Sequence, residues 1–161
     1  MNVHVRILGS VVLTLALAGA APQPPRAGAV PGACGLITRA EAAAALGAPV
    51  PAGVETVMEV PMQGQAVEAQ YCLFGSEVLI ARFELGSGAE ALFDRYRQSL
   101  ASESGYQSVA GVGDEAFAAK GQLAARTGHT GLIVDVGQAR GGGAPELEAE
   151  KGLAKRAVGR M

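Results

Sequence analysis

Apolar and polar residues alternate most regularly between Val67 and Leu85. Val67, Ala69, Tyr71 and Leu73 fall on one side of an extended chain. Leu79, Ala81, Phe83 and Leu85 do the same in the next run, with Arg82 and Glu84 opposite. Gly75-Ser76 between the two runs is a tight-turn signal, so the pattern predicts an antiparallel hairpin with one buried face. Pro51 to Gly64 is ambiguous, although Val54 to Val60 can be written as a strand.

A different period appears on either side of this hairpin. Thr38-Arg39-Ala40-Glu41 fits a capping box, Ala42 to Leu46 continue a helix, and Gly47 ends it with Pro49 just beyond. Ser87-Gly88-Ala89-Glu90 fits a second box. The helix after it runs to about Ala101, with Ala89, Leu92, Phe93, Tyr96 and Leu100 on one stripe. Tyr106 to Val109 and Glu115 to Ala118 are short strand candidates around Gly111-Val112-Gly113-Asp114. Leu123 to Arg126 and Thr130 to Val136 form a hairpin across Gly128-His129, with Leu132, Val134 and Val136 toward the core. Gly141 to Gly143 is a flexible break, and Pro145 opens a last helix. Glu146, Glu148 and Glu150 at its start, and Lys151, Lys155, Arg156 and Arg160 at its end, suit the helix dipole. Its inner stripe is read as Leu147, Leu153, Ala154, Ala157 and Val158.

Helix, strands, helix, strands, helix predicts an α+β fold: one domain, an antiparallel sheet of about six strands, and helices packed mainly on one face. The two halves hint at a duplication, but the only shared string is Ala-Glu-Ala.

The first twenty residues change the picture. Arg6 precedes an apolar run from Ile7 to Leu17, and Ala18-Gly19-Ala20 supplies small residues, the pattern of a secretory signal peptide over 1–20 cleaved after Ala20. The run is shorter than the roughly 20 residues a spanning helix needs; the alternative is an uncleaved N-terminal anchor. Residues 21–33 are a Pro/Gly/Ala linker and 34–161 the folded domain. Cleavage removes 20 of 161 residues and Arg6, leaving 141 residues with 12 basic and 15 acidic side chains, a net charge of −3. That balance excludes nucleic-acid binding through a strong basic field. At 17% charged and 49% apolar the chain is not a disordered polyelectrolyte, although 31 alanines inflate the apolar share.

Export places Cys34 and Cys72 in an oxidising compartment, where two cysteines most simply pair with each other. The rival is a reactive thiol, but no Cys-x-x-Cys is present and His129 is distant in sequence. Candidate chemistry is otherwise sparse. Gly86 to Ala91 matches Gly-x-Gly-x-x-Ala after a strand and before a helix, but a dinucleotide site also needs a parallel βαβ unit, so a helix start is the simpler meaning. His129, the one histidine of the mature chain, is placed in a turn without the His, Cys or acid neighbours of a zinc site. Asp114-Glu115 reads as a turn followed by a strand start, and strand alternation sends the two carboxylates to opposite faces. Asp135 is placed on the open sheet face.

Cys34-Gly-Leu-Ile-Thr38-Arg-Ala-Glu41, then Leu46-Gly47, Tyr71-Cys72 and Gly111 to Ala116 together resemble a family of uncharacterised exported bacterial proteins. These include actinobacterial-type lipoproteins whose mature domains open Cys-x-Leu-Leu/Ile-Thr. The resemblance implies an extracytoplasmic α+β domain with its two cysteines bridged, and no activity. This chain departs from it in having no cysteine directly after the apolar run, so lipid tethering is not expected.

The expectation is therefore a periplasmic or secreted, non-enzymatic domain that binds a small ligand or an envelope protein partner. No catalytic, cofactor-binding or metal-ligating residue is assigned, and neither a nucleic-acid partner nor stable membrane insertion after cleavage is expected. The alternatives are a secreted hydrolase using His129, or an inhibitor of a secreted enzyme that inserts Gly111–Asp114 or Gly128–Thr130.

Overall fold

The computed structural model describes residues 31–137 and 144–161. The segment read as a signal peptide over 1–20, most of the linker and the Gly141–Gly143 break lie outside the described residues. In chain order the elements are α1 (Ala33–Leu36), α2 (Arg39–Leu46), β1 (Val54–Met62), β2 (Gln65–Phe74), β3 (Val78–Glu84), α3 (Ala89–Ser99), β4 (Gln107–Ser108), β5 (Glu115–Ala119), β6 (Gln122–Thr127), β7 (Thr130–Asp135) and α4 (Ala144–Val158).

All seven strands join one antiparallel sheet in the order β1-β2-β3-β7-β6-β5-β4, so the chain is an α+β domain with one more strand than expected. The ambiguous segment after Pro51 is β1, paired along its whole length with β2 from Val54–Leu73 to Met62–Gln65. The long exposed edge of β1 carries Glu55, Glu59 and Pro61, residues that discourage further strand addition.

Among the described residues, three helices lie on one face and one on the other. Buried residues of α1, α2 and α4 (Leu36, Ala42, Leu153, Ala157) share a core with Phe74, Ile80, Leu123, Leu132 and Val134. On the opposite face, Leu92 and Phe93 of α3 pack with Ala69, Phe83, Phe117 and Ala124. Phe117 centres that side, with the rings of Phe93, Tyr96 and Tyr106 at 5.5, 5.7 and 5.9 Å. Strand β3 is thus covered on both faces: Val78 and Ile80 point one way and Ala81 and Phe83 the other. This corrects the expectation of a single buried face, which rested on Arg82 and Glu84. Those two sit at the far end of the strand, where Arg82 is held by Gln70 and Glu84.

Local signals explain both ends of α2. The Thr38 hydroxyl accepts from the Glu41 N–H at 3.2 Å and the Glu41 carboxylate accepts from the Thr38 N–H at 2.8 Å, the reciprocal pair of a capping box. Gly47 closes α2 at φ 73°, a backbone state that other residues adopt at a cost. The second box is not formed. A single 3₁₀ turn over Gly86–Gly88 leads into α3, and its N-cap is Gly88 with no side-chain cap bond. Among the described residues no helix is long and apolar enough to cross a membrane.

Candidate functional site

The helix dipole accounts for acids at the start of α4, yet two of the three there turn inward. Glu146 and Glu150 are 3% and 1% exposed, whereas Glu148 is exposed. Residues four apart share a helix face. Glu146, Glu150, Leu153, Ala154 and Ala157 are the buried residues of α4, so the two carboxyls head the same inner stripe. Leu147 and Val158, assigned to that stripe, are only partly buried.

Asp135, at the end of β7, meets them. Oxygen atoms of Asp135, Glu146 and Glu150 all lie within 4.8 Å of one another. Its placement on an open sheet face is thereby corrected, because the strand ends there and α4 comes to cover it. Asp135 is held from two sides: its Oδ1 accepts from the Gly137 N–H at 2.6 Å and its Oδ2 from the Gln122 side-chain amide at 2.9 Å. The glutamates are less satisfied. Glu146 Oε2 and Glu150 Oε1 are buried and find no hydrogen-bond partner among the described residues. Nor does any Lys, Arg or His among the described residues form an ion pair with the three. Burial, reinforced by the charges of Glu146 and Asp135, pushes the Glu150 carboxyl up to about 8, against a hydrogen bond from the Val136 N–H.

Beside this cluster lies a cavity of about 370 Å³ between β4, β5, the β5–β6 turn and α4, with Gln107, Ala119, Gly121, Gln122, Glu146 and Lys151 on its wall. The Lys151 ammonium is engaged by Glu148 at 2.9 Å. Gly121 (φ 73°) sits against the cluster, where a Cβ would lie 3.3 Å from Glu146 Oε1.

The residues singled out from the sequence do not converge on this cavity. Cys34 and Cys72 are bridged, with Cα atoms 4.9 Å apart, and the bridge ties α1 to β2. A Cβ on Gly53 would lie 2.6 Å from Cys72 Sγ, so the bridge packs where only glycine leaves room. His129 is exposed in the β6–β7 turn, where its carbonyl accepts from the Leu85 N–H at 2.9 Å. Asp114 and Glu115 do not diverge as strand alternation predicted. Asp114 precedes the strand, so the period of two does not reach it, and both acids meet Arg126: Nε donates to Glu115 at 2.7 Å and Nη1 to Asp114 at 3.3 Å. Asp114 also accepts from the Gly128 N–H at 2.7 Å, which ties the Gly111–Asp114 loop to the β6–β7 turn. The Gly86–Ala91 segment follows β3, whose neighbours are both antiparallel, so it lacks the parallel unit of a dinucleotide site.

Sequence reasoning missed Asp135, Glu146 and Glu150 as a group. The signal was present: Glu146 and Glu150 are in phase with Leu153 and Ala157, and Glu148 is not. Comparison with protein-family models, with curated proteins and with solved structures finds no match for this chain.

Proposed function

We propose that the chain is an exported, non-enzymatic binding domain and that the cavity beside α4 receives a small ligand. The observation that carries this reading is the pair of buried carboxyl oxygens beside that cavity that find no partner among the described residues. Unsatisfied buried polar atoms are costly, and native proteins retain them mostly where something else satisfies them. The signal-like start, the bridged cysteines and the resemblance to exported bacterial domains support a periplasmic or secreted location.

Native mass spectrometry of protein exported to the periplasm and purified gently tests the whole reading. The expected spectrum shows a chain starting at Ala21, two hydrogens lighter than the reduced form, with a reproducible low-mass adduct. A chain that keeps its first residues or its free thiols overturns the export part. A bare oxidised chain removes a tightly held ligand and leaves a protein partner or a weakly held one.

A further inference from the structure

We infer that the cluster of Asp135, Glu146 and Glu150 is a calcium site. The inference deepens the proposal that the cavity binds a small ligand, and it names the ligand's chemistry.

Three observations lead there. The first is distance. Calcium takes oxygen ligands at about 2.3–2.6 Å, so two oxygens on one ion are separated by at most about 5 Å. Oxygens of all three residues lie within 4.8 Å of one another, so a point at most about 2.8 Å from each exists, within a few tenths of an ångström of a calcium–oxygen bond. The second is independent of the clustering. Glu146 Oε2 and Glu150 Oε1 belong to side chains 3% and 1% exposed, and neither has a hydrogen-bond partner among the described residues. The third is charge. No basic side chain among the described residues pairs with the three carboxyls, whereas the more exposed acids Glu41, Glu115 and Glu148 each have an arginine or lysine. A divalent cation supplies a counter-charge that no basic side chain among the described residues provides.

The donor set selects the metal. All three ligands are hard carboxylate oxygens, with neither the thiolate nor the imidazole that favours zinc or copper. Magnesium demands near-octahedral geometry and usually relies on one or two carboxylates with water or phosphate. Three protein carboxylates with an adjoining cavity for water suit calcium's larger, more flexible shell. Asp135 is already oriented by the Gly137 N–H and Gln122, as an outer shell holds a metal ligand. In the absence of a cation, a proton shared among the carboxyls is the competing occupant.

Equilibrium dialysis of the full chain, stripped with chelator and incubated with radioactive Ca²⁺ at neutral pH, decides between them. The expected result is one ion per chain, with a dissociation constant of about 10⁻⁴–10⁻³ M, the range of extracellular calcium modules. The Glu146→Gln/Glu150→Gln double variant should lose more than roughly tenfold in affinity, because ligand charge sets the affinity of such sites. Glu90→Gln, on the exposed side of α3, should bind as the parent does. Circular dichroism confirms that each variant is folded; if the double variant is not, Asp135→Asn takes its place. No saturable uptake, uptake unchanged in the folded variant, or equal competition by Mg²⁺ overturns the assignment. An organic adduct in the native spectrum without calcium uptake overturns calcium alone and leaves the small-ligand reading standing.

Discussion

Removing the Cys34–Cys72 bridge should cost about 4 kcal/mol. The two half-cystines are 38 positions apart, and the chain-entropy model assigns such a loop roughly 13 cal/mol/K of unfolded-state entropy. For a folded unit of about 125 residues, with an unfolding entropy near 2.1 cal/mol/K per residue, that corresponds to a fall in Tm of about 15 °C. The structure adds a local part. Helix α1 is four residues long, too short to persist alone, and the bridge anchors it to the buried Cys72 on β2. Replacing both cysteines by alanine also leaves a small void beside Gly53, worth on the order of 1 kcal/mol. Thermal unfolding followed by circular dichroism separates these contributions. The oxidised parent is compared with Cys34→Ala/Cys72→Ala, each with and without reductant. Reductant should bring the parent down to within a few degrees of the variant and leave the variant unchanged. A fall of less than about 4 °C, equivalent to roughly 1 kcal/mol, would refute the loop-entropy reasoning.

Three further perturbations probe other parts of the molecule. Phe117→Ala removes the ring that Phe93, Tyr96 and Tyr106 surround and should destabilise by about 3–5 kcal/mol in urea unfolding, whereas Leu73→Ala on the exposed surface should change little. Glu41 is held at about 2, below its ordinary 4.5, chiefly by the Arg160 fork at 2.7 Å on both oxygens; its contribution is present above pH 4.5 and lost as pH falls toward 2, so the Tm gap between the parent and Glu41→Gln should close over that interval. Glu150→Gln should raise Tm in chelator-treated buffer, because it removes an ionisable group buried beside two other acids; a lower Tm would assign the carboxyl a purely structural role.

What could be read from the sequence follows the range of the interactions involved. The Thr38–Glu41 box, the Gly75-Ser76 turn and the α3 stripe are local patterns, and the structure contains all three. The Ser87 box matches the same local rule but fails, because the chain takes a 3₁₀ turn through Gly86 (φ 70°) before α3 begins. Burial of both faces of β3 is not local: it depends on α1, α2 and α4 covering one side while α3 covers the other. The acid cluster is harder still. It joins positions 135, 146 and 150 across a connection and a change of element, and acids at a helix start already have a sufficient explanation in the dipole.

The position of the cluster bears on why those acids are there. From Leu153 onward the inner stripe of α4 is apolar, and it packs on Leu123, Leu132 and Val134. One and two turns earlier the same stripe carries Glu150 and Glu146, where leucine would extend the core. Replacing buried charges by well-packed apolar residues is often neutral or stabilising, so stability alone does not account for two glutamates on this face. Their sequence neighbour Glu148, equally able to serve the helix dipole, is exposed and paired with Lys151. The dipole therefore explains Glu148, and it does not explain why its two neighbours turn inward toward Asp135. An inward-facing acid pair on the wall of a cavity, beside a glycine that leaves it room, is a local departure from good folding practice, and such departures concentrate where a protein binds something.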